Sequence, residues 1–123
     1  MPILGIGVDV VFVPRIAALL SRYPERLPAR ILSPLELQRA SSLGDPQFIA
    51  VRWAVKEAAY KAIYPAHRPS WKDFTYRGLT NGHKPVLLYH PPSNTVQVGT
   101  IHVSVSHDGD YVFASVLVET AEH

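Results

Sequence analysis

Residues Ile3 to Val13 form a nearly continuous apolar run, β-branched at Ile3, Ile6, Val8, Val10, Val11 and Val13, which is the pattern of a buried strand. Pro14 follows where a first helical residue tolerates it. Ile16, Leu19, Leu20 and Tyr23 then recur at i, i+3, i+4 and i+7 and make one apolar helix face, closed by Pro24. Ser33-Pro34-Leu35-Glu36 is a capping box and predicts a short helix ending near Gly44. Asp45-Pro46 repeats the cap-and-proline signal and opens a long helix to about Tyr64, where Pro65 stops it.

The second half changes period. Phe74 to Leu79 and Val86 to Tyr89 flank Asn81-Gly82, a hairpin turn pair, with His83-Lys84-Pro85 lengthening the connection. Ile101, Val103 and Val105 alternate with His102, Ser104 and Ser106, so this strand has one apolar and one polar face. Asp108-Gly109-Asp110 turns the chain into a partner strand, Tyr111 to Val118. A strand, three helices and an antiparallel meander make one α+β domain over residues 1–123, an antiparallel sheet packed against a long helix and shorter helices.

Composition narrows the function classes. With 123 residues, 47% hydrophobic and 18% charged, the chain suits one globular domain. No apolar run approaches the roughly 18 residues that span a bilayer, so no membrane partner is expected. The absence of cysteine excludes disulfides and thiol catalysis. A net charge of +2 does not point to nucleic acid, and the strands carry no interleaved aromatic and basic code for RNA. The sequence opens on Pro2-Ile3-Leu4-Gly5 with no basic leader, so a cytoplasmic location is expected, with the mitochondrial matrix after loss of a transit peptide as the alternative. The positive charge is unevenly spread: residues 14 to 39 hold five Arg, no Lys, and only Glu25 and Glu36 as acids.

Asp9 is the first candidate for chemistry, because a carboxylate within an apolar strand needs a pair, a hydrogen bond or a metal. A buried salt bridge or a strand end reaching solvent would also satisfy it. Glu57 and Lys61, four apart, share a face of the long helix with Trp53; a plain i, i+4 ion pair is the simplest account. Against it, Ala54, Val55, Ala58, Ala59 and Ala62 leave little polar surface, so the charges of this helix need partners. Trp53, Tyr60 and Tyr64 read as packing rather than as a stacking platform. His107 ends the alternating strand, where it is either exposed or able to donate to phosphate or move a proton. Ser104 and Ser106 lack a nucleophile elbow. Zinc spacings, a P-loop and a dinucleotide fingerprint are absent. Two separated acids among cations thus suggest a metal and phosphate site.

Three segments together resemble the signature blocks of 4′-phosphopantetheinyl transferases of the small holo-acyl-carrier-protein synthase type. They are Gly5-Ile6-Gly7-Val8-Asp9-Val10-Val11, Arg52-Trp53-Ala54-Val55-Lys56-Glu57-Ala58-Ala59-Tyr60-Lys61-Ala62 and Val103-Ser104-Val105-Ser106-His107. The resemblance extends from about Ile3 to Val118. It implies transfer of the phosphopantetheine arm of coenzyme A to a serine of an apo carrier protein, with release of adenosine 3′,5′-bisphosphate. It also implies Mg²⁺ on Asp9 and Glu57, a phosphate on Lys61, and Arg52 and His107 around the coenzyme A phosphates. Asn81, Gly82, Lys84 and Pro85 resemble a loop that contacts the adenine nucleotide, with His83 inserted. Glu57 is the first choice of base for the serine hydroxyl and His107 the second. Arg15, Arg22 and Arg26 match a basic surface that docks an acidic acyl carrier protein. A homotrimer with sites at subunit clefts is implied as well. The carrier could serve fatty-acid or polyketide synthesis. A non-catalytic module that binds acidic carriers or nucleotides is the rival reading, and intact Asp9, Glu57 and Lys61 weigh against it.

The chain departs from the family pattern at three places. Phe12 stands where many relatives carry Glu, Tyr64-Pro65-Ala66-His67-Arg68-Pro69 replaces a Gly-rich loop, and Pro91-Pro92 falls in a stretch that is often helical.

Overall fold

A computed structural model describes residues 2–78 and 81–121. Strand β1 (Ile3–Phe12) runs directly into helix α1 (Val13–Arg22), followed by α2 (Arg26–Ile31), α3 (Pro34–Arg39) and α4 (Pro46–Ile63). A 3-10 turn at Trp71–Asp73 leads to β2 (Phe74–Arg77), then β3 (Val86–Tyr89), β4 (Ile101–Asp108) and β5 (Tyr111–Glu119). The expected extension of β2 to Leu79 falls outside the described residues. Helix α2 is additional to the three that periodicity predicts. Six residues are too few to display a 3.6-residue period, although Leu27 and Ile31, four apart, are both buried. Among the described residues no helix is long and apolar enough to cross a membrane.

The helix starts follow from local chemistry. Ser33 accepts from the Glu36 backbone N–H at 3.2 Å while Glu36 Oε1 accepts from the Ser33 N–H at 2.8 Å, a complete capping box. Asp45 caps α4 by accepting from the Gln47 N–H at 3.0 Å. Asn81 (φ 53°) and Gly82 (φ 76°) both take left-handed backbone, as a tight turn between β2 and β3 requires.

The strands divide into two sheets, β1-β5-β4 and β2-β3, rather than one meander. Between β3 and β4 the chain passes through Pro91-Pro92, which cannot donate to a ladder, and β4 pairs with β5 instead. Strand β5 also pairs antiparallel with β1, from Gly5 opposite Val118 to Phe12 opposite Tyr111. The inner face of this sheet carries Gly5, Gly7, Asp9 and Val11 from β1 and Val112, Ala114, Val116 and Val118 from β5. Helix α4 lies across it, burying Ala54, Val55, Ala58, Ala59 and Ala62.

The expectation of a strand buried on both sides is corrected by the outer face. Ile6 (59% exposed), Val8 (58%), Val10 and Phe12 stand open to solvent, beside Tyr111 and Phe113 of β5. The apolar run at residues 3–13 therefore builds two hydrophobic faces, of which this chain covers one. Such a contiguous apolar surface is the mark of an interface.

Candidate active site

Two glycines set the distance between β1 and α4. A Cβ at Gly7 would lie 1.8 Å from the Ala58 carbonyl oxygen, and one at Gly5 would lie 2.0 Å from that of Ala62. With no side chain between them, the strand and the helix backbones touch. Asp9, next on the same strand face, and Glu57, the residue before Ala58, are thereby brought to one place. Lys61 completes the group: its ammonium donates to the Val8 carbonyl at 3.0 Å and to Asp9 Oδ1 at 3.3 Å. The lysine thus bridges helix to strand rather than forming only the i, i+4 pair with Glu57 that spacing suggests.

Burial pushes the Glu57 carboxyl above its ordinary range and the charge of Asp9 pushes it further, while the Trp71 indole and Lys61 pull the other way. Two carboxylates that repel each other, with oxygen donors only, fit a hard divalent cation, which would relieve the repulsion. Among the described residues no group of three or more His, Cys, Asp or Glu converges, so any such ion would take its remaining ligands from water or phosphate. The Trp71 ring lies tilted by 45° against Trp53 with centroids 5.0 Å apart, and Arg15 of α1 lies 5.5 Å over the Trp53 ring. Trp53 is packing as expected, yet it also links the basic helix to the acid cluster.

A second feature lies on the other side of α4. Arg52 is five residues before Glu57, about 140° around the helix. It lines a cleft of about 570 Å³ together with Arg39, Arg77, Asn81, His83 and Lys84. Among the described residues of the lining the one acid, Glu36, is already engaged. Its Oε1 accepts from Lys56 Nζ at 2.5 Å, and its Oε2 accepts from the Tyr76 N–H at 3.0 Å and faces Arg52 Nε at 3.9 Å. Arg52 is held over the Phe48 ring at 3.8 Å, and among the described residues its buried Nε has no hydrogen-bond partner. The cleft is a cationic, partly aromatic cavity suited to a phosphorylated, planar ligand. Asn81 and Lys84 line it, as does the inserted His83; Gly82 and Pro85 shape the loop without lining the cavity.

Lys56 and Glu36 are the functional-looking pair that sequence reasoning missed. Lys56 is 0% exposed and also donates to the Ile31 carbonyl at 2.8 Å. Its burial lowers its pKa and Glu36 opposes that shift. The available signal was the absence of any polar surface around it on an Ala-rich helix.

His107 does not join the acid cluster within this chain. It lies opposite Val112, two rows from the Asp9–Ala114–Val105 row and across β5, so its backbone is roughly 12 Å from that of Asp9. Arg15 and Arg22 are exposed on α1 and Arg26 on α2, with Arg22 and Arg26 resting on the Tyr23 ring.

Residues 5–116 match the family model described as the 4′-phosphopantetheinyl transferase superfamily. A holo-[acyl-carrier-protein] synthase of Koribacter versatilis is 39% identical over 124 residues, covering 95% of this chain and 98% of its own. The crystal structure of the holo-[acyl-carrier-protein] synthase of Neisseria meningitidis superposes with a TM-score of 0.78 at 30% identity, covering 96% of this chain and 99% of that one. The Helicobacter pylori synthase in complex with coenzyme A has a TM-score of 0.76 at 26% identity, with 93% and 99% covered.

Proposed function

This chain belongs to the 4′-phosphopantetheinyl transferase superfamily, and we propose that it moves the 4′-phosphopantetheine group of coenzyme A onto a serine of an apo acyl carrier protein. It is an enzyme of the holo-acyl-carrier-protein synthase type. The observation that carries the reading is the meeting of Asp9, Glu57 and Lys61 where β1 crosses α4.

Asp9 and Glu57 would hold Mg²⁺, which when bound supplies positive charge to the pyrophosphate and its leaving group. The chain's own residues supply the rest. Glu57 accepts the serine proton, a role that its place in the acid cluster allows. The serine oxygen forms a bond to the pantetheine-side phosphorus. The bond from that phosphorus to the bridging oxygen breaks, and its electron pair leaves with adenosine 3′,5′-bisphosphate. Lys61, anchored on Val8, fixes Asp9 and adds a cation beside the reacting phosphates.

The cationic cleft at Arg52, Asn81 and Lys84 suits the 3′-phosphoadenosine end of coenzyme A. Cleft and acid cluster face different sides of α4, and an apolar sheet face is open, which supports the homotrimer that the family resemblance implies, in which one copy's cleft would serve another copy's acids. His107 would then reach a reacting group from a neighbouring copy. Arg15, Arg22 and Arg26 dock the acidic carrier, with Arg15 placed by Trp53 beside the acid cluster.

Incubation with Mg²⁺, coenzyme A and an apo carrier, followed by nucleotide chromatography, tests the reaction type. Adenosine 3′,5′-bisphosphate should appear in equal amount with modified carrier. Nucleotide release without carrier modification would make the protein a hydrolase instead.

A further inference from the structure

Lys61, the cation in contact with Asp9, is already committed in this structure. It donates to the Val8 carbonyl at 3.0 Å and pairs with Asp9 at 3.3 Å. A pyrophosphate brought to this face therefore meets a lysine whose charge is shared with a carboxylate. The C-terminal end of a helix is also the wrong end of its dipole for an anion, since its free carbonyls point outward. The loop beyond offers few donors, because Pro65 and Pro69 have no N–H. A cation beyond the metal and Lys61 would strengthen the hold on the phosphates.

Arg68 is placed to do so. Glu57, Tyr60, Lys61 and Tyr64 recur at i, i+3, i+4 and i+7 and so share one face of α4 and its cap. The Tyr60 and Tyr64 rings stack at 5.5 Å with 15° between their planes. The Arg68 guanidinium lies 5.6 Å over the Tyr64 ring, so the loop holds this cation at the C-terminal end of the face that carries Glu57 and Lys61. Arg68 is exposed, and among the described residues no carboxylate pairs with it. A guanidinium resting on a ring keeps its planar fork of donors free at the edge, the geometry that binds phosphate oxygens in pairs.

We propose that Arg68 is a further phosphate-binding residue, which takes the pyrophosphate of coenzyme A beside Lys61, and that Tyr64 is the positioning residue that holds its guanidinium over this face. The inference rests on the transferase reading given above. Tyr64, an exposed aromatic residue at a helix end, thereby acquires a reason beyond packing.

The test measures coenzyme A affinity by calorimetry in the presence of Mg²⁺, together with KM for coenzyme A and for the carrier. Arg68→Gln should weaken coenzyme A binding about tenfold, as loss of a charge-assisted pair predicts, with carrier KM near the wild-type value. Arg68→Lys should recover part of the loss, because it restores charge without the fork. Tyr64→Leu should reproduce most of the loss and Tyr64→Phe should restore affinity, a split that a purely structural role would not produce. Unfolding midpoints check that each variant is folded. Equal coenzyme A affinity in Arg68→Gln and wild type overturns this inference alone. Wild-type protein that neither binds coenzyme A nor modifies a carrier overturns the functional reading beneath it.

Discussion

Gly7 and Ala58 touch through their backbones, with room for no Cβ between them: one built on Gly7 would lie 1.8 Å from the Ala58 carbonyl oxygen. That contact puts Asp9, two residues along the strand, against Glu57, one residue back along the helix. Gly7→Ala should cost about 3 kcal/mol, since overpacking against backbone cannot be relieved by turning a side chain. Activity should fall further than stability, because the two acids separate as the helix moves. Gly44→Ala, where nothing lies within 4 Å, is the matched control and should change stability by less than about 0.5 kcal/mol. Denaturant melts and transfer rates on both variants check the pair.

The Glu57 carboxyl is raised by burial and then by Asp9, so its ionised form strains the native state. The contribution it makes to stability is fully present below the unfolded carboxyl value of about 4.5 and is lost as pH rises through the folded value. Glu57→Gln should therefore melt above wild type at neutral pH in metal-free buffer, and the gap should close on acidification. Added Mg²⁺ should raise the wild-type midpoint more than that of Glu57→Gln. An equal Mg²⁺ shift in both proteins would remove Glu57 from the metal site.

Glu36 serves Ser33, Lys56, Tyr76 and Arg52 at once, and Lys56 has no access to water. Glu36→Ala should cost roughly 3–5 kcal/mol, the penalty for leaving a buried charge without its partner. Urea titration measures it. Arg52 would lose the carboxylate at its back, so coenzyme A binding should weaken in whatever fraction remains folded.

Val10 lies opposite Phe113 at the centre of the open sheet face. Wild-type protein should sediment at about three times the chain mass, the order proposed above from the family resemblance. Phe113→Glu should sediment as a monomer and lose transfer while keeping its helical circular dichroism. A monomeric wild type with full activity would contradict the shared-site arrangement.

Much of this arrangement was legible in the sequence where the cause is local. Ser33 and Glu36 announced their capping box, Asp45 its cap, and Asn81-Gly82 its turn, because each needs only neighbouring residues. Asp9 stood out because a carboxylate in an apolar strand requires a partner. What depends on distant contacts was not legible. Lys56 needs a partner on so apolar a helix, but no local pattern names Glu36, twenty positions away, until the chain is folded. The division of the sheet depends on β1 claiming β5, a pairing of the chain's two ends that no short window contains. The solvent-facing side of β1 misled for the same reason: apolar residues on both faces look alike whether the second face is covered by this chain or by another.

If the Asp9–Glu57–Lys61 cluster transfers phosphopantetheine, the intact mass of an apo carrier reports it. Wild-type protein with coenzyme A and Mg²⁺ should add one phosphopantetheine to the carrier, and folded Glu57→Gln should leave its mass unchanged at the same protein concentration. An unmodified carrier with wild-type protein, or full modification by Glu57→Gln, would contradict the account.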